Sequence, residues 1–387
     1  MLALILRFAL RNPLRHRLRS LLTLAGLTIA ILAFGLLGTV VSAWYAGANA
    51  ASDKRLVTRN AISLTFPMPL AYAERIRAIE GVTDVSWENW FGGVYKEPSN
   101  FFPQMAVEPT SFFRLVPEFR VKPEEMQNFL RERRGAIAGR KLAARFGWKI
   151  GDLIPIKGTI FAGDYEFILC GIYEGARSST DEGQFFLRWD YLNERTRQLF
   201  PGRSDSVGIY LIGIADARDA AVVAQRVDRS FANSLAETLT ETEKAFQLSF
   251  VAMTGTIVNA IRIVSWVIIL IIMAVMANTM AMAARERTAE YATLKALGFR
   301  PGTVAALVYA ESFALCAAAA TAGILLTGPA ARAIGSRLDN LFPVFQVAPE
   351  TILMQIAAAA LIACVAAALP ARQAMRVKIV EGLRQAG

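Results

Sequence analysis

Long apolar runs alternate with polar stretches along this chain, and four of the runs are long enough to cross a membrane. Two of them contain no charged residue, and the other two contain one each, Arg262 and Glu311. A helix rises about 1.5 Å per residue, so about twenty apolar residues span a hydrocarbon core of roughly 30 Å. The pattern therefore predicts four transmembrane helices, at 21–46, 251–283, 303–331 and 351–370.

The polar stretch between the first two runs is about 200 residues long, enough for one large domain or two small ones. Strand-like segments such as Ala61–Phe66 alternate there with helical segments such as Pro123–Arg134. In the middle of the stretch the pattern changes to short strands separated by turn residues. We expect an α+β domain at 47–250, made of an α/β subdomain at 47–134 and 207–250 and a β-rich insertion at 135–206.

The segment between the second and third runs reads ARERTAEYATLKALGFRP. It is short, charged and rich in residues that favour helices. Gly298 lies near the end of this segment and Pro301 is its last residue. Glycine and proline typically follow the end of a helix. A short capped helix at 284–302 is therefore expected at one face of the membrane. The second transmembrane helix is expected to start early, as a stalk outside the membrane, which would place Arg262 near the outer interface.

Composition fits a membrane protein, since 54% of the residues are hydrophobic and only 19% are charged. The formal net charge is +10, but residues 47–250 contain 26 basic and 26 acidic side chains, so the excess lies elsewhere. Thirteen basic residues form three patches beside the apolar runs: Arg7, Arg11, Arg15, Arg17, Arg19; Arg285, Arg287, Lys295, Arg300; Arg372, Arg376, Lys378 and Arg384. Basic residues concentrate in cytoplasmic loops, so these patches and both termini are expected in the cytoplasm. No nucleic-acid partner is expected.

This topology places 47–250 and a short loop at 332–350 outside the cytoplasm, and a basic tail at 371–387 inside. Residues 1–20 are expected to form a basic amphipathic helix that lies on the cytoplasmic surface and contacts membrane lipid. The alternative is that its arginines only fix the topology. A cleavable signal peptide is disfavoured, because the first apolar run exceeds the 7–15 residues of a signal h-region.

Few residues offer catalytic chemistry. The chain has no Walker A pattern, one histidine (His16) and no CxxC or HExxH motif, so we expect no catalytic residue, no metal site and no cofactor. Glu311 is the exception, because an acid inside a membrane helix is a candidate functional group. The favoured explanation is that Glu311 pairs with Arg285, Arg287 or a neighbouring helix.

The loop segment resembles a known family. Arg285–Gly298 fits R-x-[RK]-x-x-E-[IY]-[AG]-x-L-[KR]-A-[LMI]-G, the coupling helix of FtsX/MacB/LolC-type permeases of ABC transporters. The order of a basic N-terminus, one helix, a domain of about 200 residues and three helices also resembles that family. Shorter similarities lie at 14–27, 369–372 and 379–384. The loop variant is similar to DevC-like exporters.

The resemblance implies a bacterial inner-membrane permease that works with a separate ABC ATPase subunit, and this subunit binds the ATP and Mg. It also implies that the extracytoplasmic domain is divided into a porter-like subdomain and a sabre-like insertion. It further implies a dimer with a second copy or a paralogue, and allows a periplasmic adaptor protein. ATPase motion would drive export or extraction of a lipid, lipoprotein, peptide or drug-like cargo. The alternative is a membrane-anchored extracytoplasmic sensor or enzyme.

The residues that would carry the coupling follow from the same resemblance. Apolar positions at a spacing of three to four would form the face inserted into the ATPase: Tyr291, Leu294, Leu297 and Gly298. Charged residues at the rim would set the orientation: Arg287, Glu290 and Lys295.

Overall fold

A computed structural model describes residues 17–177, 179–338, 342 and 344–379. Most of the amphipathic helix predicted at 1–20, and the end of the tail predicted at 371–387, lie outside the described residues. The helices in chain order are α1 Arg17–Trp44, α2 Ala46–Ala50, α3 Tyr72–Arg77, α4 Phe112–Leu115, α5 Pro123–Arg131, α6 Arg140–Phe146, α7 Trp189–Leu199, α8 Ala220–Ser230, α9 Glu243–Met253, α10 Gly255–Glu286, α11 Thr288–Ala296, α12 Pro301–Leu338 and α13 Pro349–Arg376.

The strands are shorter and all lie between α2 and α9. They are β1 Arg55–Asn60, β2 Met68–Pro69, β3 Val82–Trp90, β4 Gly93–Val94, β5 Gln104–Val107, β6 Phe119–Arg120, β7 Gly135–Gly139, β8 Leu153–Gly158, β9 Gly163–Gly175, β10 Phe185–Arg188, β11 Ser206–Val207, β12 Ile209–Ile214 and β13 Thr238–Thr242. The chain divides into two compact units, one with the long helices and one with the sheet.

The helical unit contains the four predicted transmembrane helices. Within the described ranges, α1, α10, α12 and α13 are the four helices long and apolar enough to cross a membrane. Large apolar side chains such as Leu270 and Leu353 are exposed on them, as expected for lipid-facing positions. Small side chains of α13, including Ala363 and Ala367, are buried instead, and small residues let membrane helices approach closely.

One buried amide joins three of these helices. Gln355 Nε2 in α13 donates hydrogen bonds to the Ile31 carbonyl of α1 and to Thr327 Oγ1 of α12, both at 2.9 Å. Gly35 makes room for it, because a Cβ there would lie 2.0 Å from Gln355 Nε2. Interhelical hydrogen bonds of this kind contribute modestly to the association of membrane helices.

Two helix boundaries differ from the expectation. The stalk before the second transmembrane helix is helical, but it is a separate helix, because Thr254 between α9 and α10 has φ −104° and ψ 11°. A β-branched Thr followed by Gly255 is a weak helix-forming pair, which explains the interruption. In addition, α12 continues to Leu338, past the expected end at 331, so its last turns occupy part of the predicted external loop.

The sheet unit is built on one mixed sheet. Its strand order is β13-β1-β12-β3-β5-β10-β7-β9-β8-β4, with β6 paired to β9. The β5–β10 and β7–β9 pairs are parallel, and the other pairs of this sheet are antiparallel. A second, two-stranded sheet joins β2 and β11. The unit is therefore an α+β domain, as predicted.

Side-chain packing groups the residues of this domain differently from the expected division. One buried cluster, with Leu56, Ile76 and Ile212, draws only on the predicted α/β subdomain. A second cluster combines Phe91 and Phe102 with residues between 136 and 192. The predicted boundary at residue 135 falls inside this second cluster, because β5 pairs directly with β10.

Candidate functional site

The loop helix α11 connects the second and third membrane helices and ends as the sequence predicts. Gly298 follows it with φ +88°, a left-handed conformation that glycine adopts without strain. The Gly298 amide donates to the Lys295 carbonyl at 3.0 Å, and the Phe299 amide donates to the Leu294 carbonyl at 3.1 Å. These bonds satisfy carbonyls that the helix end would otherwise leave without partners.

A buried ion pair lies at the start of α11. Arg287 donates from a guanidinium nitrogen to a Glu311 carboxylate oxygen of α12 at 2.7 Å, and the two side chains are 11% and 9% exposed. The pair supports the explanation of Glu311 as a structural partner of a basic residue near the membrane face. It also corrects the expectation for Arg287, whose side chain is buried and is not a rim charge on the surface.

Tyr291, in the middle of α11, faces inward. Its side chain is 6% exposed and belongs to the same buried cluster as Val304 and Val308 of α12 and Ala374 of α13. Burial raises the pKa of Tyr291 to about 12. The expectation that Tyr291 lies on an exposed docking face is therefore wrong in this structure, because packing against α12 and α13 covers that side of the helix.

Lys295, in the last turn of α11, is bound to the end of α13. Its Nζ donates to the carbonyls of Met375 and Val377, each at 2.7 Å. A cation at the C-terminal end of a helix satisfies its last carbonyls and interacts favourably with the helix dipole. Burial lowers the pKa of Lys295. The predicted rim charge is thus engaged within the protein.

The exposed face of α11 contains Glu290, Thr293 and Leu297, which recur at a spacing of three and four. Leu297 is 72% exposed, whereas Leu294 is only partly exposed, and Gly298 lies at the exposed end. Of these exposed residues, Glu290 and Leu297 are among those that the sequence predicts for coupling, and Thr293 is not. The spacing of Glu290, Thr293 and Leu297 could have indicated this exposed face. The apolar residues at 291 and 294 have a similar helical spacing, and the sequence prediction followed them instead.

The neighbouring helix ends are also joined by charge. Arg19 in the first turn of α1 binds Glu286 at the end of α10 through two hydrogen bonds of 2.8 and 2.7 Å. Paired hydrogen bonds of this geometry are among the stronger ion-pair contacts. Sequence reasoning missed Glu286, because nothing in the local pattern distinguishes it from other exposed acids.

Together these contacts connect α11 to α12 at its start and to α13 at its end. The site has a fixed inner face and an exposed outer face. Across the part of the chain that the structure describes, no group of His, Cys, Asp or Glu side chains could hold a metal ion.

Comparison with known proteins identifies the family of this chain. Residues 262–379 match the family described as FtsX-like permease C-terminal, and residues 20–230 match the MacB-like periplasmic core domain. The second match covers more than half of the chain. The chain belongs to the FtsX/MacB-like permease family. It is therefore an ABC transporter permease with four membrane helices and a large extracytoplasmic domain, as predicted.

This permease is similar along its whole length to an uncharacterized ABC transporter permease of Methanocaldococcus jannaschii. The two are 23% identical over 412 residues, covering 98% of this chain and 97% of the relative. Two solved domains are similar at low TM-scores. One is the extracellular domain of the noncanonic ABC-type transporter YknZ from Gram-positive bacteria, with 11% identity, a TM-score of 0.35 and coverage of 49% of this chain and 100% of that chain. The other is the periplasmic region of MacB from Actinobacillus actinomycetemcomitans, with 8% identity, a TM-score of 0.37 and coverage of 52% of this chain and 94% of that chain.

Proposed function

We propose that this permease receives the motion of a separate ABC ATPase subunit at α11 and transmits it to the extracytoplasmic domain. ATP and Mg are bound by the partner, and this chain itself catalyses no reaction. The observation that carries the proposal is the exposed face Glu290, Thr293 and Leu297 on a helix whose other side is fixed to α12 and α13. A helix that must pass on motion has to be bound on one face and rigidly supported on the other.

The rigidity has a physical basis in the Arg287–Glu311 pair. Separating two buried opposite charges leaves each without compensation, at a cost of about 3–5 kcal/mol when one partner is removed. Motion of α11 therefore moves α12 with it. The buried Tyr291 side chain and the Lys295 contacts add further connections between the same helices.

The chain also provides a covalent route to the outer domain. The sheet strand β13 and the helices α9, α10 and α11 follow one another in sequence, with at most one residue between successive elements. A displacement of α11 would thus reach an edge strand of the large sheet through helices that are separated only by Thr254 and Arg287. In this proposal the work is done on cargo at the extracytoplasmic domain, and the cargo is a lipid, lipoprotein, peptide or drug-like molecule.

We further propose that the termini and α11 lie in the cytoplasm, and that the permease acts as a dimer with a second copy or a paralogue. A paired ATPase motor requires two coupling helices, and the chain contributes one among its described residues. A periplasmic adaptor protein is compatible with this arrangement.

The substitution Leu297→Glu tests the docking surface. It places a charge at the C-terminal end of the exposed face without disturbing the buried contacts, so we expect normal amounts of protein in the membrane but loss of the associated ATPase. The tagged wild-type chain and the variant are purified from native membranes in mild detergent, and co-purified ABC ATPase is quantified by peptide mass spectrometry.

Leu18→Glu is the matched control, because Leu18 is also 72% exposed and lies in the first turn of α1. This variant should retain the ATPase. Equal ATPase recovery with Leu297→Glu and with the wild type would contradict the docking proposal, and would favour the alternative of an anchored sensor or enzyme.

A further inference from the structure

The extracytoplasmic domain contains a cavity of about 980 Å³. Small-molecule sites typically enclose about 300–1,000 Å³ and are lined mainly by apolar and aromatic side chains with a few polar groups. Most of the side chains that line this cavity are apolar, and the large ones include Phe66, Trp90, Met105, Phe112, Phe246 and Phe250. Its size and its lining are those of a ligand site.

One wall of the cavity is a complete helix face. Glu243, Phe246, Gln247 and Phe250 of α9 all line it, at positions that recur every three or four residues. In the sequence, α9 ends one residue before the second membrane helix begins. A molecule in the cavity would therefore contact the helix that directly precedes the membrane segment.

The lining of the cavity contains more acidic than basic side chains. Arg55 is buried and donates hydrogen bonds to the carboxylates of Glu243 and Glu118, with the closest Glu243 contact at 2.8 Å, and to the Leu115 carbonyl at 2.7 Å. One guanidinium thus serves two carboxylates. Glu88 is a third acid in the same lining. Arg203, the other cation of the lining, is exposed.

The carboxyl group of Glu88 has no hydrogen bond or ion pair with any residue in the described part of the chain. It lies on β3, opposite Val107 of β5 and Ile209 of β12, and faces the cavity. The pKa of Glu88 is raised to about 8, mainly by burial and in part by the nearby Glu243 charge, while the Arg55 charge acts in the opposite direction. An unpaired acid in an apolar cavity is costly unless a partner satisfies it.

We propose that this cavity binds an apolar molecule that carries a single amine, with Glu88 as the group that recognises the cation. The apolar lining accommodates the body of the ligand, and the ammonium group donates a charge-assisted hydrogen bond to the Glu88 carboxylate. When Glu88 is protonated beforehand, binding of the cation releases its proton to water. An anionic ligand would meet three carboxyl groups, and a neutral one would not compensate the charge of the Glu88 carboxylate.

Protection of a cavity cysteine from alkylation tests this site without any ATPase, so its failure is distinguishable from failure of the coupling proposal. Leu64 lines the cavity and is 38% exposed, so Leu64→Cys introduces a reactive thiol at its edge. Cys364→Ser removes the exposed native cysteine, while Cys170 and Cys316 are buried. The full chain is reconstituted in phosphatidylcholine nanodiscs, and the rate of N-ethylmaleimide labelling is measured with decylamine, decanol or decanoate.

We expect decylamine to slow labelling of Leu64→Cys at least about tenfold more than decanol or decanoate does, since tenfold corresponds to about 1.4 kcal/mol of binding preference. Adding Glu88→Gln should abolish this preference, and Glu88→Asp, which keeps the charge, should retain part of it. Leu235→Cys, at a position that is 99% exposed and does not line the cavity, controls for effects of the amphiphiles on the reagent.

Three outcomes would overturn the proposal. They are equal protection by all three probes, unchanged decylamine protection in Glu88→Gln, or equal protection of Leu235→Cys. Protection by decanol that persists in Glu88→Gln shows that the cavity of this variant is intact, so its loss of the decylamine preference cannot be attributed to unfolding.

Discussion

Two acids of this permease, Glu311 and Glu88, show how different environments give one residue type different roles. Glu311 lies beside Arg287 at 2.7 Å, and the pair is structural. Glu88 faces an apolar cavity in which Arg55, the cation that acts on it, is already bonded to Glu118 and Glu243. A direct ion pair with a guanidinium therefore distinguishes the structural acid from the proposed recognition group.

The pH dependence of the free energy of unfolding should report the protonation state of Glu88. Its pKa is raised from 4.5 to about 8, so the folded domain keeps a proton that the unfolded chain releases. The free energy of unfolding should therefore fall as pH rises from about 5 to about 8, because the unfolded state binds fewer protons. Glu88→Gln should flatten this profile and be more stable than the wild type at pH 8, as measured by thermal unfolding followed by tryptophan fluorescence.

Glu124→Gln is the control for the pH profile, because Glu124 is exposed on α5 and does not line the cavity. It should keep the wild-type slope. Parallel profiles for the wild type and Glu88→Gln would show that Glu88 titrates as an ordinary exposed acid. Glu243 and Arg55, the charged groups that act on Glu88, are present in both proteins and do not alter the comparison.

At the scale of elements, α11 is a helix whose position is set by its neighbours. An isolated helix of nine residues is marginal in water, so its inner contacts must stabilise it. Arg287 connects its start to α12, Tyr291 is buried at its centre, and Lys295 satisfies the last carbonyls of α13. The face left exposed follows from these three contacts.

The Arg287–Glu311 pair should behave as a coupled unit. Arg287→Met and Glu311→Gln should each lower the midpoint of thermal unfolding in detergent, since removing one partner of a buried pair costs about 3–5 kcal/mol. The double substitution Arg287→Met with Glu311→Gln should lower it by less than the sum of the two single effects, because no charge remains buried alone.

Arg300→Met is the control in the same unit, because Arg300 is exposed and its substitution should change the midpoint little. Additive effects in the double variant, or single variants no less stable than Arg300→Met, would show that the pair does not hold α11 against α12.

At the scale of the whole molecule, the chain alternates between membrane helices and polar domains, and the distribution of charge predicts its orientation in the membrane. Leu235 belongs to the sheet unit, whereas Thr293 belongs to the exposed face of α11. We expect Leu235→Cys to react with a membrane-impermeant maleimide in intact spheroplasts, in a Cys364→Ser background. Thr293→Cys should react only after lysis. Labelling of Thr293→Cys before lysis would reverse the proposed orientation.

Sequence alone determined the features that depend on local pattern. Four apolar runs predicted four membrane helices, and Gly298 with Pro301 predicted the end of α11, because helix length and a left-handed cap are properties of short segments. The motif at Arg285–Gly298 indicated the FtsX/MacB-like family that the comparisons confirm.

Only the tertiary structure decided which side chains meet. Helical spacing alone permits Tyr291 to be buried or exposed, and the packing of α12 and α13 buries it. Arg55, Glu118 and Glu243 are far apart in sequence and join in the cavity because β1, the residue that precedes β6, and α9 meet there. Contacts between distant segments depend on how the elements pack, which no local pattern contains. For that reason the loop helix was predictable, while its exposed face and the environment of Glu88 were not.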